Sequence, residues 1–281
     1  MNGTRGPREP ARTPGLRASA ATRGNPAPGS GASRADPAPG SGATPGDPAP
    51  RSGATRGNPA PGSGATRRTL VKVCGLTRLE DAKWALECGA DWLGFIVHAD
   101  GPRRIEPERV AAIVNELGGN AAGARWQPVA VMAGVGPDEA LAFADRSHAR
   151  RVQLHRADAA RWPADFPLPC TFAVGVTPEG ALLAEEPPAP HLLMLDTSIA
   201  GHEGGTGRTW PWAMARAIAE RRDVLLAGGL HADNVAEAIH TLKPFGVDAA
   251  SRLEARPGVK DPEKVRRYLE AVRLSETTST P

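Results

Sequence analysis

Eight short aliphatic runs, each followed by a longer amphipathic stretch, fill the chain from Thr69 onward. This alternation limits the folds open to it. Runs of strand character lie near residues 69–74, 91–97, 127–133, 151–154, 170–175, 191–196, 223–227 and 246–249. Helical patterns follow them near 79–88, 107–117, 137–147, 158–162, 179–185, 211–220, 232–242 and 261–273. Such alternation means parallel strands joined by crossover helices. Pro107, Pro137, Pro178, Pro211 and Pro262 fall at or near helix starts, where a missing N–H costs nothing. Gly89 and Gly118 fall at helix ends, where a left-handed cap is wanted. The fourth and fifth helical stretches are short and carry prolines. Eight units in about 205 residues predict a compact (β/α)8 barrel over 69–281. An open doubly wound sheet is the competing arrangement, and the count of eight favours the barrel.

Residues 1–68 are of another kind. They are built from Pro, Gly, Ala, Ser, Thr and Arg, with almost no large apolar residue. Asn25-Pro26-Ala27-Pro28-Gly29-Ser30-Gly31-Ala32 recurs with small changes from Asp36, Asp47 and Asn58, a period of 11 residues. These units have no apolar face with which to stack. They predict a disordered low-complexity tail that cannot offset its ordering entropy. Ten of the 34 Lys and Arg but only three of the 31 Asp and Glu lie there, leaving 24 basic against 28 acidic residues from 69 on. The basic character of the whole therefore belongs to the tail. Its arginines are dispersed and have no aromatic residues beside them, so a nucleic-acid partner is not expected. A native start near Val71 is an alternative to a translated tail. It would need a non-AUG codon, because the methionine after Met1 is Met132.

No long apolar h-region marks a secretory signal, and no run of about 18 apolar residues could span a membrane. Cys74, Cys88 and Cys170 are an odd count without metal-ligand spacing, which fits a reduced cytoplasm.

In a barrel the loops after the strands meet on one face, and that face carries the chemistry. Leu70-Val71-Lys72-Val73 alternates as a strand and stops at Cys74-Gly75. Thr77 then reads as a helix N-cap, with Glu80 completing a capping box. A free cysteine is most often a small buried hydrophobe, but this one ends a strand before a glycine turn. Later strand ends bring His98 to Arg104, His155, Asp196 followed by Gly204-Gly205-Thr206-Gly207-Arg208, Gly228-Gly229, and Ser251-Arg252. A thiol, a carboxylate, several cations and glycine turns suit proton transfer on an anionic, phosphorylated substrate. The glycine run after Asp196 can act as a mobile lid. Gly228-Gly229 precedes a helix, where backbone N–H groups favour a phosphate. His98, His202 and His231 read as loop residues without metal spacing, and Trp84, Trp92, Trp126 and Trp162 as packing residues.

Several motifs occur in order: Lys72-Val73-Cys74-Gly75-Leu76-Thr77, Gly94-Phe95, Pro102-Arg103, Val152-Gln153-Leu154-His155, Leu195-Asp196-Thr197 with Gly204-Gly205-Thr206-Gly207, Ala227-Gly228-Gly229-Leu230 and Pro257-Gly258-Val259-Lys260-Asp261. Together they resemble the phosphoribosylanthranilate isomerase family of tryptophan biosynthesis over 70–273, and none of the tail. The resemblance implies a TIM barrel and an Amadori rearrangement without cofactor or metal, in a monomer or homodimer. The phosphorylated aminosugar N-(5-phosphoribosyl)anthranilate would become 1-(2-carboxyphenylamino)-1-deoxyribulose 5-phosphate. By the same resemblance Asp196 is the general acid on the ring oxygen and Cys74 the general base at C2′. Arg103 would face the anthranilate carboxylate and His155 would line the mouth. Gly205, Gly207, Gly228, Gly229, Ser251 and Arg252 would bind substrate. Cys74 then needs nearby positive charge to ionise, and Asp196 needs to keep its proton.

The chain departs from the family pattern at Gly101, where serine is usual, at Arg156, where glycine is usual, and at Met132-Ala133-Gly134. Ala250-Ser251-Arg252 replaces Ser-Ser-Gly, and Arg252 is expected to clamp the phosphate. A diverged barrel for another sugar phosphate, or a non-catalytic binding barrel, are the alternatives to the isomerase.

Overall fold

A computed structural model describes residues 68–177, 179–196 and 212–277. The expected tail apart from Arg68, the run containing Gly205 and Gly207, Pro178 and Pro211 lie outside those residues. Strands β1 (Leu70–Val73), β2 (Trp92–His98), β3 (Gln127–Ala133), β4 (Arg151–His155), β5 (Cys170–Gly175), β6 (Leu192–Asp196), β7 (Val224–Ala227) and β8 (Gly246–Ala249) pair in that order and close into one barrel. Every neighbouring pair is parallel, including β1 with β8. Closure rules out the open sheet. Helices α1 (Leu79–Glu87), α2 (Pro107–Glu116), α3 (Pro137–Ser147), α4 (Arg216–Arg221), α5 (Val235–Leu242) and α6 (Pro262–Thr277) supply crossovers and the C-terminal cover. Gly89 and Gly118 take φ of 95° and 66° just past α1 and α2, the left-handed ends their sequence predicts.

Side-chain alternation divides the core in two. Val71, Val73, Leu93, Phe95, Val152, Leu154, Phe172 and Leu195 belong to the larger apolar cluster, with the helix residues Ala82, Val110, Ala140, Val235 and Val265. Cys74, Trp92, Val129, Val131, Met194, Leu225 and Ala227 form a second cluster inside the barrel. Following the register around the barrel sorts the inward residues into layers of four from alternate strands. The lowest of the four functional layers holds Lys72, Val129, Thr171 and Leu225; the next Gly94, Gln153, Met194 and Asp248. Above them lie Cys74, Val131, Ala173 and Ala227, and at the mouth Ile96, His155, Asp196 and Ala250. At the opposite end the Arg151 guanidinium stacks 4.1 Å over the Trp92 ring and closes the floor.

Three local expectations fail for identifiable reasons. Residues 179–185 are not helical. Gly180 takes φ 89°, and Val176 bridges antiparallel to Leu182 in a tight reversal. The stretch near 158–162 is one 3-10 turn, Ala159–Arg161, capped by the Asp158 carboxylate, which accepts from Ala160 N at 3.0 Å. Pro163 cannot continue it. Thr77 does not cap α1; its hydroxyl donates to the Gly258 carbonyl, and Arg78 precedes the helix without a side-chain cap. The long-range tie wins over the local one. It fastens the small hairpin β9 (Glu254–Arg256) and β10 (Val259–Lys260) to the loop after β1.

Candidate active site

The residues after β1 build the deepest part of the site. Gly75 turns the chain at φ 74°, which an L side chain adopts at a cost. A Cβ there would also lie 2.9 Å from Arg103 Cδ, so Arg103 crosses directly over the turn. Cys74, buried just before it, points inward above Lys72 on the same strand face. Gly94 on β2 leaves the room both need. A Cβ on Gly94 would lie 2.8 Å from Cys74 Sγ and 2.9 Å from Lys72 Nζ.

The polar groups around the thiol form a chain of alternating charge. Lys72, fully buried, is 2.9 Å from Asp248, which is 5% exposed. Lys260 Nζ donates to Glu254 at 3.0 Å and to the Ala250 carbonyl at 3.0 Å. Glu254 accepts a two-pronged bond from Arg103, Nε at 2.8 Å and Nη2 at 2.9 Å. Asp81, also fully buried, accepts from Lys260 N at 3.0 Å and pairs with Arg78, anchoring the hairpin from behind. Burial pushes the Cys74 thiol above its ordinary range; Lys72 and Lys260 pull against that, and Asp248 adds to it. Burial also opposes charge on Lys72, but Asp248 and Cys74 outweigh it and hold the ammonium protonated. Burial pushes Glu254 up, yet Arg103 and Lys260 prevail and keep its carboxyl below the ordinary value.

The opposite side of the mouth carries Asp196 and His155. Asp196 ends β6 and is 9% exposed. His155 ends β4, with Gln153 Nε2 3.0 Å from its Nε2. Burial lowers the imidazole against the pull of Asp196, so it is neutral at neutral pH. Gly228 and Gly229 follow β7 at φ 97° and 70°, both left-handed. Asn234 braces that turn, donating to the Gly229 carbonyl at 3.2 Å and accepting from His231 N at 2.9 Å. Ser251 and Arg252 lie exposed on a 3-10 turn after β8.

Thus Cys74, Asp196, Arg103, His155, Gly228, Gly229, Ser251 and Arg252 all lie at the carboxyl ends of strands or in the loops leaving them. Gly205 and Gly207 fall outside the described residues. Of the expected loop histidines, His98 instead ends β2 and packs at a tilt against Phe143, with centroids 5.0 Å apart. Sequence reading missed Lys72, Asp248, Glu254 and Lys260. Lys72 could have been found, since two residues before Cys74 in a strand means the same face. Asp248, inside an otherwise small and apolar run, was a similar signal. Glu254 and Lys260 acquire their role only through the hairpin. Among the described residues no group of His, Cys, Asp and Glu could hold a metal ion, and no helix is long and apolar enough to cross a membrane.

A closed parallel barrel with a thiol, a carboxylate, an imidazole and cations gathered at its strand ends defines an enzyme of the (β/α)8 class. Comparison narrows the class. Residues 71–271 match the family model described as N-(5'phosphoribosyl)anthranilate (PRA) isomerase, and the chain belongs to that family. A relative from Pelobacter propionicus named N-(5'-phosphoribosyl)anthranilate isomerase is 36% identical over 75% of this chain and 98% of its own. A namesake from Geobacter sp. is 37% identical over 74% of this chain and all of its own. The solved phosphoribosyl anthranilate isomerase of Thermus thermophilus is 34% identical, with TM-score 0.60, over 73% of this chain and 99% of that one. Another isomerase structure was solved with reduced 1-(o-carboxyphenylamino)-1-deoxyribulose 5-phosphate; it is 26% identical, with TM-score 0.58, over 73% and 98% of the two chains.

Proposed function

We propose that this protein isomerises N-(5-phosphoribosyl)anthranilate to 1-(2-carboxyphenylamino)-1-deoxyribulose 5-phosphate, with Asp196 as acid and Cys74 as base. The observation that carries this reading is that Asp196 ends β6 and Cys74 directly follows β1, in adjacent inward layers of one mouth. Asp196 gives its proton to the furanose oxygen as the C1′–O bond breaks, and the anilino nitrogen's lone pair forms the C1′ iminium. The iminium acidifies C2′–H. The Cys74 thiolate takes that proton, and the C–H electrons form the C1′–C2′ double bond of the enaminol. Tautomerisation moves the hydroxyl proton to C1′ and leaves the 2′-ketone. The substrate gains one proton from Asp196 and loses one to Cys74, exchange with solvent resets both groups, and no redox partner is needed.

The remaining groups support binding. Arg103 spends one edge of its fork on Glu254 and keeps another for the anthranilate carboxylate. His155 is neutral and lines the Asp196 side. The Gly228-Gly229 turn, Ser251 and the exposed Arg252 take the phosphate, and Gly205 and Gly207 also bind substrate. Three free cysteines fit a reducing cytoplasm. The deciding experiment is conversion of N-(5-phosphoribosyl)anthranilate by the purified full chain, with no metal or cofactor added. Formation of the ketose supports the reading. No conversion, with turnover of a different sugar phosphate instead, contradicts it.

A further inference from the structure

We propose that Lys72, ion-paired to Asp248 beneath the site floor, is a positioning residue whose ammonium supports the thiolate form of Cys74. The inference rests on the reading of Cys74 as the base.

Three observations carry it. First, the pair is expensive where it stands: both groups lie inside the barrel, and burying two charges costs several kcal/mol per ion before their attraction returns it. Apolar residues of similar size are as stable at such places. The neighbouring inward positions Val129, Leu225 and Met194 are apolar. Second, β2 is bare at the point of contact. Gly94 has an ordinary backbone conformation, so its lack of a side chain serves space. That space is occupied by Cys74 Sγ and Lys72 Nζ, with Lys72 Cε 3.1 Å from where a Cβ would stand. Third, the ammonium is fixed. Asp248 holds it at 2.9 Å from the next strand, and the same side chain runs straight up the strand face that ends in Cys74.

Among the described residues the charged groups around the thiol can be assigned. Lys72 stands below it on β1, Asp248 beyond Lys72 on β8, and Lys260 beside it on β10, with Glu254 of β9 pairing Lys260 and Arg103. Arg103 crosses the Gly75 turn above it. Asp196 and His155 stand one layer higher across the mouth. In the near cluster the cations Lys72, Lys260 and Arg103 face the anions Asp248 and Glu254. One positive charge is in excess, and a thiolate at Cys74 balances it. Lys260 and Arg103 share a carboxylate that also serves the hairpin, whereas Lys72 pairs with Asp248 on the barrel strands themselves.

The test reads the thiol itself. Far-ultraviolet thiolate absorbance is titrated with pH in the full-length protein, each variant being subtracted against the same variant carrying Cys74→Ala. Cys88, Cys170 and Tyr268 then cancel. Lys72→Met with Asp248→Leu removes both charges together and avoids stranding one of them. The inference expects the thiol midpoint to rise by about one unit, with an approximately tenfold loss of turnover at neutral pH that alkaline pH restores. Asp248→Asn leaves the ammonium unopposed, and the midpoint should fall. Opposite shifts in the two variants are what a purely structural pair would not give. A folded double variant with an unchanged midpoint overturns the inference. If the double variant fails to fold, an unchanged or raised midpoint in Asp248→Asn overturns it alone. Midpoints that move as expected while Cys74→Ala keeps full turnover sustain the electrostatic role and overturn the base role instead.

Discussion

Gly94→Ala puts one methyl group where the site has no room. The new carbon would lie 2.8 Å from Cys74 Sγ, 2.9 Å from Lys72 Nζ and 3.1 Å from Lys72 Cε. Uncrowded contacts of this kind need roughly 3.5–4 Å, so the thiol and the ammonium must each yield by up to about 1 Å. Neither yields easily. Lys72 is held by Asp248 at 2.9 Å, and Cys74 shares its layer with the buried Val131 and Ala227. Overpacking of this size costs about 1–3 kcal/mol of stability. Displacing a reacting group by about 1 Å costs on the order of 100-fold in rate. The expected result is a modestly lowered urea midpoint, a kcat down by about 100-fold, and a KM little changed, because the residues proposed to hold the carboxylate and phosphate lie elsewhere. Steady-state kinetics and urea unfolding of one protein sample measure all three. Wild-type kcat beside a lowered midpoint would refute the reasoning, since the crowding would then be felt and the thiol's place would not matter.

Other substitutions test separate parts of the site. Glu254→Gln leaves Arg103 and Lys260 without their carboxylate; stability should fall by about 3 kcal/mol and KM should rise more than kcat falls. Because the folded state holds the Glu254 carboxyl below its ordinary 4.5, its contribution is fully present above that pH and is lost as pH falls through the lower folded value. Acid unfolding of Glu254→Gln, followed by circular dichroism, should therefore lack that part of the pH dependence. Arg252→Gly should raise KM for the phosphorylated substrate about tenfold or more, the worth of one charge-assisted bond; a lowered KM would mean that the arginine obstructs. Arg156 follows β4 at φ 51°, a left-handed conformation unfavourable by about 1–2 kcal/mol for a side chain. Arg156→Gly should then raise the thermal midpoint slightly, since the entropy glycine loses offsets part of the gain.

The barrel was legible because its information is local. Each of the eight expected strands has its counterpart within two residues at either end, since β-branched runs bounded by Gly and Pro carry their own period. The helices introduced by Pro107, Pro137 and Pro262 begin at those prolines. Arg156 explains why glycine is usual after His155: the chain needs a left-handed turn there. What the sequence hid was long-range. Thr77 looked like a cap by its neighbours, but Gly258, far along the chain, claims its hydroxyl. Alternation around Lys72 identified a strand, but not that Val71 and Val73 turn outward to the helices while Lys72 turns into the barrel. Asp248, Glu254 and Lys260 are ordinary charged residues in sequence, and only closure of β8 on β1 and the hairpin over Gly75 make them neighbours of Cys74.

The most direct test compares turnover with product affinity in Cys74→Ala and Asp196→Asn. Loss of either the base or the acid should lower kcat by roughly 10²- to 10⁴-fold, while 1-(2-carboxyphenylamino)-1-deoxyribulose 5-phosphate binds as in the parent by calorimetric titration. Turnover within a few-fold of the parent in either variant would contradict the pairing of that thiol and that carboxylate across the mouth.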